Sequence, residues 1–107
     1  MDLAIRNATI IDGTGAPGRL GDVGIDDGRI VAVAAAGDGG VGAATTEIDG
    51  TGLMLTPGFV HPHTHYDAQL FWDPTGSPSN LHGVTTVIAG NCGFTLAPLT
   101  PGVGTSV

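Results

Sequence analysis

Lysine is absent from this 107-residue chain, cysteine occurs once, and aromatic residues make up only 5% of it. Its cations are Arg6, Arg19 and Arg29, set against ten acidic residues for a net charge of −7. A balance of that sign is the reverse of a phosphate-binding footprint, which argues against nucleic acid as a partner. An anionic membrane surface is disfavoured for the same reason. No apolar run approaches the roughly 18–20 residues that span a bilayer, and Met1-Asp2 lacks the basic start of a secretory signal. Without a second cysteine, Cys92 cannot form an internal disulfide, which suits a reducing compartment. The expected location is therefore cytoplasmic. The length allows one domain's worth of residues at most, with less complete burial than a larger domain achieves.

What is present divides near Pro57. Before it, Leu3-Ala4-Ile5-Arg6 and Ala8-Thr9-Ile10-Ile11 are β-prone runs broken at Asn7 and closed by Asp12-Gly13. Asp22 to Asp26 alternates polar with apolar or small residues, Asp27-Gly28 supplies a tight turn, and Arg29 to Val33 resumes an apolar run, which predicts a β-hairpin. Ala34 to Thr45 is rich in alanine and glycine, and its conformation is expected to be poorly specified. Glu47 to Gly50 and Leu53 to Thr56 predict two more short strands. Residues 1–56 thus read as part of a small β-sandwich whose acidic turns are solvated corners.

After Pro57 a buried-type strand runs into His61-Pro62-His63-Thr64-His65, which holds three of the four histidines in five residues. In an extended strand His63 and His65 project to one face with Cα atoms roughly 6.5–7 Å apart. Two imidazoles so placed can reach one zinc-type ion, whose nitrogen ligands stand at about 2.0–2.1 Å. The bland alternative is a pair of surface histidines at a strand end. Asp73 to Pro78 reads as a loop, Ser79-Asn80-Leu81-His82 as the end of a short helix stopped by Gly83, and Val84 to Ala89 as a strand. Strand, connection and strand, with polar chemistry at the carboxyl ends, open a parallel α/β sheet or (β/α)₈ barrel. Pro62 has no N–H to donate, so regular pairing is expected to lapse there.

The second strand leads into Gly90-Asn91-Cys92-Gly93-Phe94, whose glycines suit a tight turn presenting the thiol. A thiolate is a strong zinc ligand. Taken alone, however, a free cysteine is more often a small buried hydrophobe. His61 shares the parity of His63 and could be a third ligand, a donor to a ligand or a neutral core histidine, the last two being favoured. His82 precedes a strand and reads as structural. Tyr66 and Asp67, just past the histidines, are weak candidates for substrate contact and read better as solvated loop.

These motifs together resemble the amidohydrolase superfamily and, within it, the N-acyl-D-amino-acid deacylases, or D-aminoacylases. Ile10-Ile11-Asp12-Gly13-Thr14-Gly15 and Asp27-Gly28-Arg29-Ile30-Val31-Ala32-Val33 resemble the amino-terminal β-sandwich of that family. Pro57-Gly58-Phe59-Val60 followed by His63-Thr64-His65 resembles its first barrel strand with the His-x-His metal motif. Gly83-Val84-Thr85-Thr86-Val87 followed by Gly90-Asn91-Cys92-Gly93-Phe94 is the narrower signal, because deacylases of this type carry a metal-binding cysteine there. The resemblance makes His63, His65 and Cys92 metal ligands for zinc, one or two divalent cations in all, and implies hydrolysis of an N-acyl-D-amino acid or similar N-acyl compound. It also implies further histidines and a general acid/base aspartate that have no counterpart in residues 1–107, so no catalytic residue is expected before Val107.

On this reading the chain is an amino-terminal fragment, inactive alone, with a partial β-sandwich domain over 1–56 and the start of a TIM-barrel domain over 57–107. His61 departs from the family, which commonly has aspartate at that position. Two other functions stay open: a non-catalytic metal-binding or interaction module, and an amidohydrolase acting on cyclic amides.

Overall fold

The structure, a computed structural model, describes residues 1–92 and divides into two compact units, Met1–Pro57 and a second beginning at Gly58. The first is a mixed five-stranded sheet built from β1 (Leu3–Ile10), β2 (Arg19–Asp26), β3 (Arg29–Ala35), β4 (Thr46–Asp49) and β5 (Met54–Leu55). The order is β3-β2-β1-β4, and β5 also pairs with β1. β1 runs antiparallel to β2 and parallel to both β4 and β5. Where a sandwich was expected there is a single mixed sheet, with no second layer among the described residues.

The sequence break at Asn7 is a bulge inside one continuous strand. Asn7 has φ 58, and the register to β2 shifts between Ile5 and Ala8. Asparagine tolerates the left-handed region better than most residues, and the displaced Asn7 N–H finds the Asp22 carboxylate at 2.8 Å. On the other side of β1, the interval between β4 and β5 falls beside the same residues, with Gly50 N–H donating to the Arg6 carbonyl at 2.7 Å. The β2–β3 hairpin turns at Asp27-Gly28, both with positive φ (48 and 68), the conformation that matches strand twist in a two-residue loop.

One expectation needs correcting. Ala34 to Thr45 is not loosely held, because Arg6 donates to the carbonyls of Val41 (2.7 Å) and Gly42 (2.9 Å) and pairs with Glu47 at 2.7 Å. Val41 itself is buried, joining Ala4, Ala8, Ile10 and Val23 in the core. The acidic turns at Asp12, Asp27, Asp38 and Asp49 are exposed, as expected, whereas Asp22 lies within β2 and is buried. Asp22 is 4% exposed, accepts from Gly37 N–H at 3.2 Å as well as from Asn7, and lies 3.8 Å from Arg6. The Asn7 N–H chiefly, with Gly37 and Arg6, holds its carboxyl below the usual range against the opposing effect of burial.

In the second unit β6 (Phe59–His61) and β7 (Val84–Val87) pair in parallel, with His61 opposite Val87. Between them lie α1 (Tyr66–Gln69) and a 3-10 helix, Ser79–His82, which stops at Gly83 with φ 79. Gly58 is required at the start of this pair because a Cβ there would overlap the Thr85 side chain. The Asp73 to Pro78 loop is organised by Asp73, which accepts from the hydroxyls of Thr75 (2.5 Å) and Ser77 (2.7 Å), from both their N–H groups and from Gln69. Those hydroxyls, Thr75 first, hold its carboxyl far below the usual range. Among the described residues no helix is long and apolar enough to cross a membrane.

Candidate metal centre

β6 ends at His61, before the proline that cannot continue its ladder. His63 and His65 therefore do not share a face through strand alternation, as the sequence suggested. They sit on the loop beyond, and His65 occupies the N-cap of α1 with φ −111 and ψ 28, well away from an extended conformation. The rings nevertheless converge, with centroids 6.0 Å apart and planes inclined at 48°. β7 runs parallel to β6, so the segment that follows it emerges at the same end of the pair and carries Cys92 toward the histidines.

His63, His65 and Cys92 each offer one donor atom, and these atoms lie within 4.8 Å of one another. Donors around a single tetrahedral zinc stand about 3.3–3.6 Å apart, as follows from bond lengths of about 2.0–2.3 Å. Small side-chain rotations would close the difference. Two imidazole nitrogens and a sulfur fit a borderline-soft cation such as zinc and suit magnesium or calcium poorly. Both histidines are exposed and the cysteine is half-buried, so neither donor type is locked in apolar core. The Gly93-Phe94 part of the expected turn lies outside the described residues.

The other candidates fare differently. His61 is exposed and so is not a core histidine; its Nδ1 lies 3.4 Å from Ser79 Oγ. Tyr66 is not solvated loop. It is 6% exposed, and its hydroxyl oxygen accepts the Ser79 N–H at 3.3 Å, so the phenol braces the 3-10 helix from within. Asp67, half-buried on α1, is not solvated loop either, and His82 ends the 3-10 helix in an exposed position. Sequence reasoning missed Thr64 and Asn91, whose hydrogen bonds run to backbone carbonyls of other segments. A short polar residue between two candidate ligands, and another immediately before the third, were the available signals.

A donor set of this composition, at one end of a parallel strand pair, is of a kind that could hold a zinc-type cation. A profile of the amidohydrolase family matches residues 46–104, more than half of the sequence, and the chain belongs to that family. It is 47% identical over 98 residues to an N-acyl-D-aspartate deacylase from Alcaligenes xylosoxydans xylosoxydans, covering 92% of this chain and 19% of the relative. A solved structure of D-aminoacylase, with a binuclear metal centre described by one-metal activation and second-metal attenuation, superposes with a TM-score of 0.80 at 46% identity, covering 92% of this chain and 20% of that one. N-acyl-D-glutamate deacylase from Bordetella bronchiseptica, complexed with zinc and a phosphonate mimic of the tetrahedral intermediate, gives 0.73 at 39% identity over 95% of this chain and 21% of that one. The chain thus spans about a fifth of the length of the relatives it matches.

Proposed function

We propose that these residues form the first metal-binding part of a zinc-dependent amidohydrolase that cleaves N-acyl-D-amino acids, or similar N-acyl compounds, to a carboxylate and an amine. The observation that carries this is the convergence of His63, His65 and Cys92 donors within 4.8 Å in a chain of this family. Similarity to deacylases that act on acylated D-aspartate and D-glutamate supports the substrate class. A divalent cation held there would supply Lewis acidity toward the acyl carbonyl and a nucleophile at neutral pH.

The work of this chain's own residues is to gather that cation. His63 and His65 would hold it through imidazole nitrogens and Cys92 through its sulfur, a donor set that suits a borderline-soft ion. A free thiol in that role suits a reducing, cytoplasmic setting. In this reading the parallel pair β6–β7 opens the (β/α)₈ barrel of residues 57–107, and residues 1–56 belong to a β-sandwich domain. The carboxylate that moves the proton to the leaving nitrogen comes from outside residues 1–107.

The test uses the complete natural protein that carries this sequence. N-acetyl-D-amino acids should be hydrolysed, chelation should abolish the turnover, and zinc should restore it. Hydrolysis of cyclic amides with no turnover of N-acyl compounds would overturn the substrate assignment.

A further inference from the structure

Two side chains outside the donor set link the segments that carry it. Thr64 stands between His63 and His65 in the chain and is 5% exposed. Its Oγ1 donates to the Ile88 carbonyl at 2.9 Å, and its N–H reaches the same oxygen at 3.2 Å. Ile88 in turn donates its N–H to the His61 carbonyl at 2.9 Å, so the ladder of β6 and β7 continues past the last paired strand residues. Farther along, Asn91 Nδ2 donates to the Pro62 carbonyl at 2.6 Å. Pro62 immediately precedes His63, and Asn91 immediately precedes Cys92. Each bond therefore ties the backbone of one donor segment to a residue on the other.

We propose that Thr64 and Asn91 are positioning residues that set the spacing between the imidazole pair and the thiolate before a cation arrives. The inference rests on the metal centre proposed above. Its physical basis is that His63 and His65 are exposed loop residues, so apolar packing does not fix them. Fixing a loop residue on binding costs backbone entropy. A site whose loops are already bridged incurs less of that cost on binding. Groups hydrogen-bonded directly to metal ligands change affinity by about 10–100-fold when removed; Thr64 and Asn91 act through the backbone beside the ligands, which places them at the lower end of that range.

Threonine suits its position on two counts. Its hydroxyl satisfies the second lone pair of a carbonyl that already accepts one N–H, and its methyl group fills buried space. Thr64→Val keeps the shape and the backbone bond while deleting the hydroxyl donor; Thr64→Ser keeps the donor. Asn91 is exposed, so Asn91→Ala removes its bond without leaving a cavity.

Cobalt(II) is the probe, titrated into metal-free preparations of the complete natural protein against a competing chelator. The thiolate-to-cobalt charge-transfer band reports Cys92, and thermal unfolding is followed alongside. Thr64→Val and Asn91→Ala should each weaken cobalt binding about 10-fold with a diminished charge-transfer band, while Thr64→Ser restores both and the unfolding midpoint of Asn91→Ala stays unchanged. Wild-type affinity and an undiminished band in Asn91→Ala and Thr64→Val would overturn the inference while leaving the metal centre standing. Should Thr64→Val fail to fold, Asn91→Ala decides the matter. Absence of the band in the unsubstituted protein would overturn the centre itself, and the inference with it.

Discussion

The sheet of Met1–Pro57 and the loops of residues 62–92 are both held by polar groups, but those groups serve opposite ends. In the sheet, Arg6 and Asp22 turn inward and satisfy backbone groups that the bulge at Asn7 and the Val41–Gly42 segment would otherwise leave without partners. Their neighbours are small: Ala4 and Ala8 are fully buried, and Gly21 has no room for a Cβ beside Ile10 and the Ala34 carbonyl. In the second unit the strand side chains stay open, with Phe59 at 63% and Val60 at 58% exposure, while buried Thr64 and exposed Asn91 bridge loops that carry the candidate metal donors. Polar groups in the first region complete a scaffold; in the second they bridge the segments that carry the proposed donors.

This contrast can be broken most forcefully at the donors. Replacing both histidines, His63→Ala with His65→Ala, should remove most of the bound zinc and activity from the complete natural protein while leaving the thermal stability of the sheet unit intact. Elemental analysis and amide exchange over residues 1–57 check the two halves of that statement. Retention of zinc would show that the loops do not carry the site.

A smaller effect is expected where the second unit relies on close packing. Gly58→Ala forces a Cβ into Thr85, and overpacking of that kind costs about 1–3 kcal/mol. Amide exchange should report faster opening at Phe59 and Val84, with the β1–β2 ladder unaffected.

The scaffold role of Asp22 sharpens the other side of the comparison. Asp22→Ala leaves the N–H groups of Asn7 and Gly37 without their acceptor and should cost about 2 kcal/mol of stability in the sheet unit. The pH dependence follows from its lowered carboxyl pKa. Because the folded value lies below the unfolded one of about 3.9, the stabilisation is fully present above that pH and is lost as pH falls through the folded value. Acid unfolding monitored on the sheet should therefore be shallower below about pH 4 in Asp22→Asn than in the unsubstituted protein.

The smallest effect is reserved for His61. Its imidazole is exposed and meets Ser79 Oγ at 3.4 Å, so His61→Asp should change zinc content and turnover little. A large fall in bound zinc would place His61 among the ligands.

How much of this was legible in the sequence varied with the range of the interaction. The Asp27-Gly28 hairpin and the Gly83 stop were readable because each depends on φ preferences of the residues themselves. The pairing of His63 with His65 was readable from density, although strand alternation was the wrong reason, since Pro62 ends the strand first. Cys92 alone read as a buried hydrophobe, and only the surrounding motif singled it out. Asp22, Tyr66, Thr64 and Asn91 were misread or missed for a common cause. Each acts on a backbone group distant in sequence, and no local periodicity encodes which carbonyl or N–H will arrive there.

The central claim, that His63, His65 and Cys92 close on one cation, is tested most directly by X-ray absorption at the zinc edge on the complete natural protein and its Cys92→Ala variant. The unsubstituted protein should show sulfur scattering at about 2.3 Å together with nitrogen or oxygen scattering near 2.0–2.1 Å, and the variant should lose the sulfur shell along with most of its zinc. A zinc spectrum with no sulfur shell, or a Cys92→Ala protein that keeps its zinc and an unchanged spectrum, would contradict the account.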